Sequence, residues 1–241
     1  MNAARVLVGL AVAGVLSTAC AAPAPPAAPP TQREWSLARE RLAELRRTVP
    51  SSPWVEQVSI SFREPGTGKL FEGRGAIAVS PNKAMRMILV GPGGTTALDA
   101  WVTPDAYRFA IPPVGLVRRG GKDAEAALPI GFFRWWFLAP YEGRLRTIVG
   151  RDFVLDDGSG IVSIDDRTED GARLVVARRR HGTVIELLGF RGRADGKHGA
   201  GDRASYRNLT TGLTVEVTVD EVGESAPDPD AFVDPDVAKA P

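Results

Sequence analysis

Apolar and polar positions alternate with a period of two through most of the chain between residues 54 and 222. Val58, Ile60 and Phe62 alternate with Ser59, Ser61 and Arg63, and Phe71, Ile77 and Val79 share one face of the next run. Alternation of this kind predicts strands with one face on a core and the other toward solvent. Residues 84–90 are apolar on both faces apart from Arg86. A strand of that type is covered on both sides or has one face on a cavity. Further strands are predicted at 95–102, 106–111, 144–149, 152–155, 160–165, 173–180, 183–190, 204–208 and 213–222. Turn residues separate them, including Gly91-Pro92-Gly93-Gly94, Asp156-Asp157-Gly158-Ser159 and the two-residue hairpin signal His181-Gly182. Gly73 and Gly75 read as bulge or bend points within a strand. Residues 112–127 read as a loop. The pattern is mainly β, about 10–12 antiparallel strands in series with helical additions.

Two segments depart from the period of two. Trp35, Ala38, Leu42, Leu45 and Val49 recur at spacings of three and four, which predicts an amphipathic helix over residues 31–49. Thr31 or Ser36 is placed to cap it, and Pro50 and Pro53 end it. Its charges are of mixed sign, which favours packing on the domain over lying on a membrane. The other segment is residues 128–140, Leu-Pro-Ile-Gly-Phe-Phe-Arg-Trp-Trp-Phe-Leu-Ala-Pro. It is too short to span a bilayer, which takes roughly 20 apolar residues. Phe132, Phe133, Trp136 and Phe137 fall on one face of a short helix, with Arg134 elsewhere. Set between two halves of an antiparallel sheet, it reads as the lid of a hydrophobic cavity rather than as a simple core helix. A curved sheet with an apolar concave face is a natural pocket for an acyl chain. The acyl-cavity candidates are Met85, Met87, Leu89, Trp101 and Phe109 from the strands, with Phe132, Phe133, Trp136 and Phe137 from the helix.

The first residues add an export route. Arg5 supplies a positive start, residues 6–16 are an uncharged apolar run, and Ser17-Thr18-Ala19 are small. Leu16-Ser17-Thr18-Ala19-Cys20 resembles a bacterial lipobox, with cleavage before Cys20 and lipidation of its sulfur. Cys20 is the sole cysteine, so no internal disulfide exists, and lipidation explains a lone cysteine in an exported chain. Residues 21–30 are alanine and proline only and read as a tether between anchor and domain. Ala21, rather than Asp, follows the cysteine, which by resemblance to the enterobacterial sorting rule points to the outer membrane, facing the periplasm. The domain is placed at residues 31–225, and residues 226–241, rich in Pro, Asp and Ala, are read as a flexible tail.

Charge and motifs narrow the chemistry. The 241 residues carry a formal net charge of +1, which gives no electrostatic case for nucleic acid. His181 lies in a hairpin turn and His198 in a glycine-rich loop, neither with partners at metal-ligand spacing. No strand-turn-helix nucleophile elbow is present. Asp156-Asp157 and Asp165-Asp166 sit beside turns, where Asp serves the backbone, and lack the alternation of a calcium loop. Residues 65–69 suggest a phosphate loop, but Arg63 stands where it needs glycine and Leu70 where it needs Ser or Thr. The reading is therefore a binding protein, not an enzyme, with no cofactor.

Three features in order resemble the LolB family of outer-membrane lipoprotein receptors and, more loosely, its periplasmic partner LolA. The first is the lipobox cysteine, the helix containing Trp35 and the strand with Gly73-Arg74-Gly75. The second is Met87-Ile88-Leu89-Val90-Gly91-Pro92-Gly93-Gly94-Thr95, similar to the family's strand ending in Pro-Leu-Gly-Ser/Thr. The third is Leu128-Pro129-Ile130 running into Arg134-Trp135-Trp136-Phe137-Leu138, similar to the family's Pro-Ile-Pro segment and following helix. The resemblance spans roughly residues 31–220. It implies an unclosed antiparallel β-barrel with a helical lid over a hydrophobic cavity, acting as a monomer. It implies lipoprotein acyl chains and a LolA-like periplasmic carrier as partners. It also implies a membrane-facing loop, which falls at Gly93. There the family carries an exposed leucine, and glycine has no side chain to insert in lipid. The alternative reading is a structural or assembly lipoprotein that reuses the fold to hold a protein partner, with its cavity filled by its own side chains.

Overall fold

The computed structural model describes residues 29–63, 65–122, 128–149, 152–158, 160–166, 174–192, 199–223 and 226–237. The export segment, Cys20, nearly all of the tether and His198 lie outside the described residues. Helix α1 (Gln32–Arg47) begins on Thr31, whose side-chain oxygen accepts from the Glu34 amide while the Glu34 carboxylate accepts from the Thr31 amide at 2.6 Å. This reciprocal cap satisfies donors that the first turn leaves open. Ala38 and Leu42 face inward, and Arg46 ties the last turn to the carbonyls of Tyr141 and Gly143 at 3.0 and 2.7 Å. The helix thus packs on the domain, as its mixed charges lead one to expect.

The sheet is built in two runs. The first is β1 (Trp54–Arg63), β2 (Leu70–Ser80), β3 (Ala84–Val90), β4 (Thr96–Val102), β5 (Tyr107–Ile111) and β6 (Leu116–Gly120). The second is β7 (Arg144–Val149), β8 (Asp152–Asp156), β9 (Ile161–Asp166), β10 (Leu174–Arg180), β11 (Thr183–Arg191), β12 (Arg203–Asn208) and β13 (Thr214–Val222). Among the described residues these form one 13-stranded sheet, with β6 at one edge, β7 at the other, and β1 paired with β13 in the middle. Every pairing is antiparallel, and β6 and β7 do not pair. The barrel is open. Among the described residues no helix is long and apolar enough to cross a membrane.

One strand exceeds the sequence-based expectation. The loop read at 112–127 contains β6, which runs opposite β5 from Ile111↔Leu116 to Tyr107↔Gly120. Its sequence, Leu-Val-Arg-Arg-Gly, has neither alternation nor a buried residue, since an edge strand is half-exposed and its charges defend it from pairing. Gly115, with φ +64, makes the turn before it. Gly75 is not a bulge: the β2 pairings run through it without a register shift. A side chain there would strike the Ile88 carbonyl, so glycine allows a tight approach of β2 to β3. The hairpin at His181-Gly182 has positive φ at both residues, +50 and +82, which suits a two-residue turn between twisted strands.

The segment expected to be a flexible tail is, over residues 226–237, laid on the outer face of the first run. A short turn at Pro229–Phe232 lies against β2 and β3, and the Trp101 indole donates to the Phe232 carbonyl at 2.9 Å. Asp99 pairs with both Arg86 and Arg108 at 3.1 Å. Arg108 and Arg119 stand opposite each other on β5 and β6, and Asp236 contacts both. Asp234 adds a second contact to Arg119 at 2.9 Å. Composition alone hides this clasp, because the aspartates find their arginines only once the strands are side by side.

Hydrogen bonds from Arg119 hold the carboxyls of Asp234 and Asp236 below the ordinary carboxylate value. A carboxyl with a depressed folded value stabilises above its unfolded value, and that contribution is lost as pH falls through the folded one. Arg119→Ala is therefore expected to speed amide hydrogen exchange in residues 230–237 by about fivefold at neutral pH. Acidifying the unaltered chain well below the ordinary carboxylate value of about 3.9, through the depressed folded values, should release the same amides selectively, once intrinsic exchange is corrected for.

Candidate ligand-binding cavity

Strands β6 and β7 lie at opposite edges, and the chain between them lies on the concave side, where Phe132 and Phe133 meet inward-facing strand residues. The crossing carries the aromatic segment. A single α-turn, α2 (Ile130–Phe133), opens it with the Phe133 amide donating to the Pro129 carbonyl. It then widens into a π-turn over Arg134–Leu138, closed by the Ala139 amide on the Arg134 carbonyl at 3.0 Å. Arg134 fastens the crossing to the sheet, donating to the carbonyls of Thr103, Lys122 and Gly121 at 2.9, 2.6 and 3.0 Å. The Leu138 carbonyl accepts from the Asn82 amide in the β2–β3 turn at 2.9 Å.

The wide turn redistributes the aromatic rings. Ile130, Phe132, Phe133, Trp135, Phe137 and Leu138 are all buried, while Trp136 is half-buried. Regular helical spacing places Trp136 inward and Trp135 outward; an i→i+5 turn rotates each residue less and buries Trp135 as well. Trp136 keeps its inward contact, resting on Phe190 of β11 with ring centroids 4.4 Å apart.

The crossing divides the concavity into unlike halves. Over the second run it is a plug. Phe132 stacks on Tyr206 at 5.2 Å, and Trp135 meets Tyr141 edge-on at 6.0 Å. Beneath them the Tyr206 hydroxyl donates to Glu186 at 2.9 Å, and Arg178 joins Glu186 at 3.1 Å to Asp157 at 2.9 Å. Burial, and next the Glu186 charge, push the Tyr206 hydroxyl far above its usual value. The space left here is about 20 Å³, room for about one water.

Over the first run, and reaching the start of β13 beside β1, the concavity stays open as an apolar cavity of about 490 Å³. Ile60, Met87, Leu98, Phe109 and Val215 form its strand walls. Leu128, Pro129 and Phe133 of the crossing close one side. Phe62, Pro65, Ile111, Leu116 and Leu213 belong to the end where the β1–β2, β5–β6 and β12–β13 turns gather. The polar side chains in the lining are Arg118 and Thr211.

Of the residues singled out from sequence, Met87, Phe109 and Phe133 line this cavity. Met85 and Leu89 are buried on the same face of β3 without lining it. Phe132 borders the small space in the plugged half, and Phe137 packs on Phe132 and Phe133 within the crossing. Trp101 is on the other side of the sheet. Leu98, Ala100 and Val102 of β4 point inward, so the period of two sends Trp101 outward under the C-terminal segment. Gly93 is exposed at the tip of the β3–β4 turn with φ +81. The neighbouring β5–β6 turn, at the same end of the sheet, exposes 71% of Val114. Leu98, Ile60 and Val215 were missed although strand parity points them inward. Leu116 and Arg118 were missed with β6 itself.

No protein-family model matches the chain, and no curated protein matches it. Solved structures with a similar chain path include a LolA superfamily protein from Nitrosomonas europaea, 9% identical, covering 82% of this chain and 97% of that one with a TM-score of 0.48. Another is a DUF1329 family protein from Desulfovibrio piger, 10% identical, covering 84% of this chain and 98% of that one with a TM-score of 0.43. At such values neither likeness assigns a residue or an activity.

Phe133 is 1% exposed and joins the crossing to the cavity wall. Phe133→Ala is expected to cost about 3–5 kcal/mol in denaturant unfolding followed by tryptophan fluorescence. Trp136→Ala, at the half-buried position, should cost about 2 kcal/mol or less.

Proposed function

We propose that this chain is an outer-membrane lipoprotein, anchored through Cys20 and facing the periplasm, that takes acyl chains into the cavity over β1–β6. The observation that carries the reading is the open apolar space of about 490 Å³ in a sheet whose other half is filled by its own aromatic side chains. An acyl chain gains roughly 0.8 kcal/mol for each CH₂ it buries, so such a site binds by area and needs no catalytic or chelating group. The lipobox, the Ala/Pro tether and the LolB-like motifs support a part in lipoprotein localisation, with acyl chains handed over by a LolA-like carrier. Met87, Phe109 and Phe133, apolar by sequence and lining the cavity, are assigned to contact the chain. A partner-holding lipoprotein, the other reading, expects a cavity filled throughout by its own side chains; that holds only beneath the crossing.

Delivery to a membrane is the part in which this chain differs from the family pattern. Gly93 leaves the β3–β4 turn without an apolar tip, and Val114 in the Pro112-Pro113-Val114 turn takes that place. The test of binding uses the chain carrying Cys20→Ser, which removes the lipidation site. Fluorescence of the neutral apolar probe N-phenyl-1-naphthylamine should rise on mixing and fall when 1-dodecanol is added. Leu116→Trp, which fills the cavity from the edge strand, should remove at least about nine-tenths of that signal with the melting temperature within about 4 °C. An unaltered signal in this variant, or no signal in the parent, would reject the acyl-binding reading.

A further inference from the structure

We infer that the cavity takes a single-chain amphiphile with an anionic head, carboxylate or phosphate, and that Arg118 holds the head. The inference rests on the acyl-binding reading and adds a charge to it. β6 presents two consecutive arginines to opposite faces of the sheet. Arg119 points outward, opposite Arg108, and is satisfied by Asp234 and Asp236. Arg118 points inward, opposite Phe109 on the cavity wall. Among the described residues Arg118 has no ion pair or hydrogen bond, and the cavity lining contains no acidic side chain. A cation is thus held at the border of an otherwise apolar space, with its charge uncompensated from within.

Geometry suits an amphiphile. The opposing Phe109 is buried at 3%, while Arg118 is exposed on the free edge of the sheet. An arginine in that position lays its methylene stem along the apolar wall and keeps its guanidinium in water. A chain seated against Phe109, Leu98 and Met87 brings a head group to that guanidinium, whose fork of donors matches the paired oxygens of a carboxylate or phosphate. A neutral head leaves the charge unanswered. Long-chain carboxylates and phosphate monoesters share this chemistry, and the assay separates them.

The chain carrying Cys20→Ser is loaded with N-phenyl-1-naphthylamine and titrated with dodecanoate, dodecyl phosphate and 1-dodecanol below their micellar concentrations. The anions are expected to displace the probe at about fivefold lower concentration than the alcohol. Adding salt should narrow the gap. Arg118→Gln should bring the anions to the level of the alcohol. A larger advantage for dodecanoate assigns a fatty-acid head, and one for dodecyl phosphate assigns a phospholipid-type head. Equal displacement by all three in the parent, or a gap that survives Arg118→Gln, overturns the assignment while leaving acyl binding in place. Failure of the probe to bind removes the cavity reading and this inference together.

Discussion

The sheet ends one run of strands at β6 and starts the next at β7, on the far edge, and the connection between them lies across its hollow side. Everything distinctive in the molecule depends on that crossing. An irregular connection over an apolar surface must satisfy its backbone and match the surface with apolar side chains. The crossing does the first with an α-turn running into a π-turn and with Arg134 capping the carbonyls of Gly121 and Lys122. It does the second with Phe132, Phe133, Trp135 and Phe137. Because Phe132 and Trp135 sit against β9–β12, that half is largely filled. The other half receives Leu128, Pro129 and Phe133 along one side of a space that remains hollow.

The strand pattern was legible because one face of nearly every strand is buried, so alternation and turn residues marked each one. β6 was hidden because an edge strand has no face to bury. One error concerns orientation rather than element type. Trp101 is hydrophobic in composition but sits out of phase with Leu98, Ala100 and Val102, and phase decides the face. Trp136 fell on the buried face under regular helical spacing and does rest on Phe190 there, but the π-turn buries Trp135 more deeply. A change of helix type is invisible to periodicity over so few residues. The clasp of Asp234 and Asp236 on Arg119 was illegible for a different reason: it joins residues more than a hundred positions apart. Composition describes only the tail, not what it meets.

The candidate site shows the same division. Met87, Phe109 and Phe133 were found from apolar character on a strand face and on the aromatic helix. Leu116 and Arg118 required knowing that a strand follows the Pro112-Pro113-Val114 turn. Once the register Phe109↔Arg118 is known, an ordinary surface pair of arginines separates into one that is clasped and one that faces the hollow. The first stabilises the outer face and the second gives the cavity its one charge among the described residues.

The most direct measurement is native mass spectrometry of the purified chain, followed by denaturation and identification of what is released. The account predicts an acyl-bearing compound at close to one per chain, absent when Leu116→Trp fills the cavity. A chain that carries no such compound, or one that retains it undiminished in the Leu116→Trp variant, would contradict the claim that the hollow over β1–β6 is an acyl site.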